Sequence, residues 1–97
     1  GTFLIRSLAQ ALIIDGQYRE VEDVLAAYAA ADPTDGRVHI LRGDVHDREG
    51  RHDEAVREYT RALELDRQRV GITAQNRIQR VTAKVNLNGA GSAAPSS

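Results

Sequence analysis

The amino-acid sequence predicts an all-α protein made of two helical hairpins and one further helix. Three observations support this: identical residues recur at a fixed separation, the apolar residues have helical spacing, and the strict alternation of apolar and polar residues typical of strands is absent. The internal repeat separates identical residues by 34 positions: Gly16 and Gly50, Glu20 and Glu54, Asp32 and Asp66. A fixed period of this length indicates a repeated supersecondary unit.

Four helices follow from apolar stripes and from the residues that interrupt them. The stripes repeat at intervals of three and four residues, beginning at Leu4, Val21, Val38 and Ala55. Gly16 and Gly50 can adopt the positive φ that ends the first helix of each hairpin. The cluster 32–36 predicts a turn between hairpins, in which Thr34 or Asp35 can cap the next helix. The predicted helices are 2–15, 18–31, 36–49 and 52–66.

A fifth helix is predicted near 71–87. Its apolar face carries Ala74, Ile78, Val81 and Val85, and its basic face carries Arg77, Arg80 and Lys84. Asn88-Gly89 is expected to end it. The segment 89–97 has no apolar periodicity and is predicted to be a disordered tail.

Composition and charge narrow the function classes. The chain has 97 residues, which is one small domain, and no Cys, which excludes disulfides and thiolate metal sites. No apolar run approaches the roughly 18 residues of a membrane span. All 14 acidic residues lie at or before Asp66, whereas the segment from Arg67 onward carries five basic residues and no acid. The chain is thus an acidic body with a basic C-terminal segment.

The second hairpin resembles the tetratricopeptide repeat, a helix–turn–helix unit of 34 residues with small residues at fixed positions. The residues that carry the resemblance are Gly43, Gly50, Ala55, Tyr59, Ala62 and Asp66, within a run from Gly50 to Asp66. The first hairpin matches more weakly, since Val21 and Tyr28 replace small residues. The resemblance implies an all-α solenoid over residues 1–88. Its parts are a first repeat at 2–35, a second at 36–69 and a capping helix at 70–88.

In this family the first helix of each hairpin lines a concave groove that binds a partner. The resemblance implies groove residues at Phe3, Arg6, Gln10, Ile13, Ile14, Arg37, Ile40, Asp44, Asp47 and Arg48. We expect Phe3, Ile13, Ile14 and Ile40 to form an exposed apolar patch, which is typical of an interaction site. A partner with apolar anchors and a basic residue for Asp44 and Asp47 fits this surface. The family's carboxylate clamp is only partly matched, because Leu41 stands where an Asn is required.

The three histidines and the basic face permit other interpretations. His39 and His46 are about 10 Å apart along one helix, too far for one ion, so we interpret the histidines as packing residues and predict no metal site. Protonation of His46 or His52 could then loosen the fold near pH 6.

Ser7 is the only Ser before the tail, and we predict no catalytic residues and no cofactor. The stripe of Arg77, Arg80 and Lys84 lacks aromatic residues for base stacking. It is interpreted as a solvated face or as attracted to the acidic body, and neither nucleic acid nor a membrane is favoured as a partner.

The sequence therefore predicts a non-catalytic adaptor or scaffold module that binds a protein or peptide in its groove. The alternative is a self-assembly module whose groove or N-terminal face packs on a second copy or on further repeats of the parent chain. Since the chain begins at Gly1 and contains no Met, we expect a soluble piece of a longer protein. Twelve of its 13 basic residues are Arg, which fits a GC-rich bacterial genome. The compartment and the partner's identity are not predicted.

Overall fold

In the computed structural model of the chain, residues 2–93 are described, with the side chains of residues 2–87. The backbone of this range forms five helices and no strand, which confirms the predicted all-α class. They are α1 (Phe3–Ile14), α2 (Tyr18–Ala31), α3 (Arg37–Arg48), α4 (His52–Leu65) and α5 (Arg67–Ala93). None of the described helices is both long enough and apolar enough to cross a membrane.

The two hairpin turns use the predicted glycines. Gly16 and Gly50 have φ values of 78° and 82°, a region that suits glycine because it has no Cβ. Directly after each glycine the chain donates a backbone hydrogen bond into the preceding helix, from Gln17 to Leu12 and from Arg51 to His46. This bonding satisfies carbonyl groups at the helix end. The first four helices agree with the predicted ranges to within one residue at each end.

The fifth helix differs from its prediction at both ends. It begins at Arg67 rather than near residue 71, because the Asp66 carbonyl accepts bonds from the N–H groups of Arg69 and Val70 and starts the helix directly after α4. Arg67 stands where the family usually has a Pro, so nothing in the sequence forces a separate loop. The helical backbone also continues past Asn88-Gly89 to Ala93, so the predicted helix end at Asn88-Gly89 was wrong. Residues 94–97 lie outside the described range.

Two apolar clusters hold the stack together, and α3 contributes to both. The first joins α1, α2 and α3 around Leu25, Tyr28 and Val38. The second joins α3, α4 and α5 around Ile40, Tyr59 and Val81. Because α3 packs against each of the other four helices, it fixes how the two hairpins and α5 are placed.

Gly43 permits the closest approach within the second hairpin. A Cβ added there would collide with the ring of Tyr59, which is fully buried on α4. The small residue on α3 and the aromatic residue on α4 therefore fit together as one contact within the second hairpin. The Tyr59 hydroxyl donates a 2.5 Å hydrogen bond to Asp44, one helical position beyond Gly43.

Candidate partner-binding groove

A concave surface runs across α1, α3 and α5. It consists of two adjoining depressions of about 320 and 160 Å³, which share Gln10, Leu41, Asp44 and Arg77. The first helices of the two hairpins therefore form one wall and floor, and α5 forms the opposite wall. An open surface formed by three helices suits a segment of another chain better than a small molecule, since small-molecule sites are more enclosed.

Nine of the ten residues predicted for the groove line these depressions, and Phe3 does not. The nine are Arg6, Gln10, Ile13, Ile14, Arg37, Ile40, Asp44, Asp47 and Arg48. The structure thus brings together residues from two helices that are separated in sequence by a whole hairpin. Whether a partner binds to them stays a prediction.

The predicted apolar patch is only partly exposed. Phe3 and Ile14 have 66% and 73% of their surface accessible, whereas Ile13 and Ile40 have 4% and 5%. The expectation that all four are exposed was wrong because Ile13 packs among α2 and α3 side chains, and Ile40 packs among those of α4 and α5. Within the groove, Ile14 is the large apolar side chain that solvent reaches freely.

The carboxylates predicted to meet a basic partner are already paired with α5. Arg77 Nε lies 3.0 Å from Asp44, and Lys84 Nζ lies 2.8 Å from Asp47. Of the two interpretations of the basic stripe, attraction to the acidic body is therefore correct for these two side chains. A basic residue of a partner would have to displace one of these ion pairs. The two aspartates therefore no longer support the expectation of a basic partner residue.

The protonation states of these groups are fixed by their neighbours. The hydrogen bond to Asp44 raises the pKa of Arg77 above its ordinary value. Burial alone would raise the pKa of Asp47, but the contacts with Lys84 and His52 hold it below its ordinary value. Burial and then the bond to Asp44 raise the pKa of Tyr59, so its hydroxyl remains a donor. This wall of the groove is therefore a network of charged and hydrogen-bonded groups.

Asp35 anchors the other end of the groove. Its side chain is fully buried between α2 and α3, and it accepts bonds from Tyr28 Oη at 2.6 Å and from Arg37 at 2.7 Å. Arg69 of α5 lies 3.2 Å away. Burial would raise the pKa of Asp35, but the bonds from Arg37 and Tyr28 hold it well below its usual range. The N-cap residue of α3 is Gly36 rather than the predicted Thr34 or Asp35. Asp35 nevertheless accepts the backbone N–H of Arg37, the first residue of α3.

Three arginines that line the groove form no ion pair within the described residues: Arg6, Arg48 and Arg80. Arg48 and Arg80 are exposed, whereas Arg6 is partly buried. The Nε of Arg6 is buried and has no hydrogen-bond partner. A buried donor without an acceptor is uncommon in proteins and calls for an explanation.

Sequence reasoning missed six lining residues, five of which lie on or beside α5. They are Leu41, Arg69, Val70, Thr73, Arg77 and Arg80. The basic stripe on α5 was a usable signal for Arg77 and Arg80. It did not reveal which face of the body α5 covers, because that depends on a contact about one repeat away in sequence.

Each of the three histidines faces a carboxylate across the interface of α3 and α4, although the buried Nδ1 of His46 has no hydrogen-bond partner. His39 lies 2.8 Å from Glu58, His46 lies 3.6 Å from Glu54, and His52 lies 3.0 Å from Asp47. Loosening of the fold by protonation of His46 or His52 stays a prediction. Among the described residues, no group of three His, Asp or Glu side chains is placed to hold a metal ion.

Comparison with known proteins identifies the second hairpin. Residues 36–69 match the family model described as Tetratricopeptide repeat, which covers about a third of the chain. Neither the curated proteins nor the solved structures gave a significant match. Residues 36–69 thus match a tetratricopeptide repeat, and they lie within the all-α stack described above. Repeats of this family generally mediate protein–protein interaction and are generally not catalytic.

Proposed function

We propose that this chain, in which residues 36–69 are a tetratricopeptide repeat, is a non-catalytic module that binds a segment of a partner protein in the groove between α1, α3 and α5. The observation that supports this most is the coexistence in one groove of an exposed isoleucine and unpaired polar groups. Ile14 is 73% exposed, and Arg6 Nε is buried without an acceptor. An apolar anchor beside a few polar groups is the usual composition of a recognition site.

Peptide display on the purified chain tests this proposal. Selected peptides should lose binding to Ile14→Asp and keep binding to Ile72→Asp. The two positions are matched, because both isoleucines are exposed and Ile72 lies on α5 outside the groove. Loss of an anchor contact typically weakens binding by about tenfold or more. Selected peptides that bind both variants equally would refute the groove as the binding surface.

A second candidate function is self-assembly through the outer face of α1. Leu4 is 77% exposed, whereas its counterpart one repeat later, Val38, is 2% exposed because α2 covers α3. Leu8, one turn after Leu4, is 51% exposed. An apolar position that is buried in one repeat and open in the other favours a covering partner of the same kind.

Light scattering at increasing concentration separates the two functions. Self-assembly predicts a dimer or larger species that reverts to a monomer in Leu4→Arg, because a buried unpaired charge is strongly unfavourable. Ile72→Arg, an equally exposed site on α5, is the control and should leave the mass unchanged. A parent chain that stays monomeric at the highest concentration would exclude this second function.

A further inference from the structure

We infer that the segment taken by this groove is acidic, with Asp or Glu side chains that meet Arg48 and Arg80 beside an apolar residue on Ile14. This inference rests on the proposed function, and it reverses the sign of the partner charge expected from α1 and α3 alone. It identifies a chemistry, and not a particular protein.

The charge of the groove differs from that of the chain. The chain as a whole has a net charge of −1. The residues that line the two depressions include six arginines and two aspartates, an excess of four positive charges. A concave surface of one sign attracts a segment of the opposite sign and orients it during association.

The pairing within the protein decides which of these charges remain available. Arg37 and Arg69 face Asp35, and Arg77 faces Asp44. The second aspartate, Asp47, is paired with Lys84. The positive charges left without a carboxylate partner among the described residues are Arg6, Arg48 and Arg80. Both aspartates of the groove are neutralised from within, so an incoming acidic segment meets little repulsion.

Two of the unpaired arginines line the same depression as the exposed isoleucine. Arg48 lies at the end of α3, Arg80 lies on α5, and Ile14 lies at the end of α1. A guanidinium group binds a carboxylate through two parallel hydrogen bonds, which gives direction as well as affinity. The depression is thus suited to a short acidic stretch with a neighbouring apolar side chain.

Arg6 gives independent support in the second depression. Its buried Nε has no acceptor in the structure, although Gln10 and Arg37 line the same depression. A partner carboxylate that draws the Arg6 guanidinium toward the depression would provide the missing acceptor. Because an unpaired buried donor is unfavourable, binding that satisfies it is favoured beyond simple charge attraction.

A nucleic acid would also carry negative charge, but the groove lacks what single strands use. None of the residues lining the two depressions is aromatic, so bases have no ring on which to stack. The apolar side chain of Ile14 matches an amino-acid side chain better than a phosphate backbone. The observations therefore favour an acidic protein segment.

Fluorescence anisotropy with labelled peptides tests the inference on the whole chain. Three probes of about ten residues share the same two leucines and differ only in being rich in Glu, Gln or Lys; such a probe extends over about 33 Å. A single-stranded oligonucleotide of equal negative charge is the fourth probe. We expect the Glu-rich peptide to bind about tenfold more tightly than the Gln-rich one, and added salt to reduce the difference.

Matched charge variants locate the effect. Arg48→Gln with Arg80→Gln should reduce binding of the Glu-rich peptide about tenfold, since two charge pairs are lost. Arg19→Gln with Arg57→Gln removes the same charge from exposed sites on α2 and α4 outside the groove, and should have little effect. Circular dichroism checks that all variants keep their helices.

The outcomes separate this inference from the proposed function. The Gln-rich or the Lys-rich peptide could bind most tightly, with binding still abolished by Ile14→Asp. That result would overturn the inference of an acidic partner and leave the groove as the binding site. Tighter binding of the oligonucleotide would assign the positive charge to nucleic acid and overturn the inference. Equal weakening of Glu-rich peptide binding by Arg19→Gln with Arg57→Gln would show non-specific charge attraction and would also overturn the inference. Absence of Ile14-dependent binding by every probe and by selected peptides would refute both proposals.

Discussion

Asp35→Asn should destabilise the fold more than any substitution of an exposed acid, because three parts of the molecule converge on this carboxylate. Its side chain has 0% of its surface accessible. Tyr28 on α2, Arg37 on α3 and Arg69 on α5 have atoms 2.6, 2.7 and 3.2 Å from Oδ2. Asn keeps the shape, but it replaces one acceptor oxygen by an amide group that cannot accept.

The expected magnitude follows from burial and from the partners left behind. Removing one member of a buried ion pair costs about 3–5 kcal/mol, because the remaining charge is uncompensated. The Arg37 side chain is 31% exposed and can turn partly to solvent, so we expect a cost at the lower end of this range. A loss of about 3 kcal/mol is a large part of the 5–15 kcal/mol typical of a domain. For a chain of this size the melting temperature should fall by roughly 12–24 °C.

Urea denaturation followed by circular dichroism measures the change. Asp23→Asn, at an exposed position on α2, removes the same charge without touching this network and should stay within about 0.5 kcal/mol of the parent. A similarly small change for Asp35→Asn would refute the argument that the carboxylate joins the helices.

The pH dependence gives a second check with a defined sign. The bonds from Arg37 and Tyr28 outweigh burial and hold the pKa of Asp35 well below its usual range. A carboxyl whose pKa is depressed on folding contributes stability above its unfolded pKa of about 4, and this contribution is lost as the pH falls toward the folded pKa. Parent stability should therefore decline below about pH 4, and the decline should be shallower in Asp35→Asn.

Two further predictions concern the second hairpin. Gly43→Ala should destabilise by about 1–3 kcal/mol because the new Cβ collides with the buried ring of Tyr59. Gly71→Ala meets only ordinary contacts at 3.4 and 3.6 Å, and should stabilise α5 by about 0.5–1 kcal/mol; equal melting temperatures for both variants would contradict the packing argument. The hydrogen bond from His39 outweighs burial and lowers the pKa of Glu58. Glu58→Gln should therefore cost about 1 kcal/mol near pH 7, and this difference should shrink as the pH falls below about 4 in pH-dependent denaturation. A difference that stays constant in acid would contradict the argument.

The helices of both hairpins could be predicted because their signals are local. Gly16 and Gly50 mark the two turns, and their positive φ values follow from what glycine alone adopts freely. The repeat also fixed the positions of the small Gly43 and the aromatic Tyr59, although their contact with each other was not predicted. These features need only periodicity and the conformational preferences of single residues.

The surface of the groove could be predicted only in part, because exposure depends on which neighbour covers each face. The sequence placed Ile13 and Ile40 on the concave side, where an isolated hairpin would expose them. Both are buried, since each helix is covered by the next element of the stack. Periodicity tells which face of a helix is apolar, and it does not tell how far the neighbouring helix extends over that face.

The sign of the groove's charge was harder still to predict, because it depends on contacts between residues that are far apart in sequence. The predicted groove residues on α1 and α3 include three arginines and two aspartates, and the two aspartates led us to expect a basic residue in the partner. α5 then adds Arg69, Arg77 and Arg80 to the lining, and Arg77 and Lys84 neutralise Asp44 and Asp47. The basic C-terminal segment and the acidic body are therefore not two independent features. Their pairing converts a mixed surface into a positive one, and for this reason α5 decides which partner charge the groove favours.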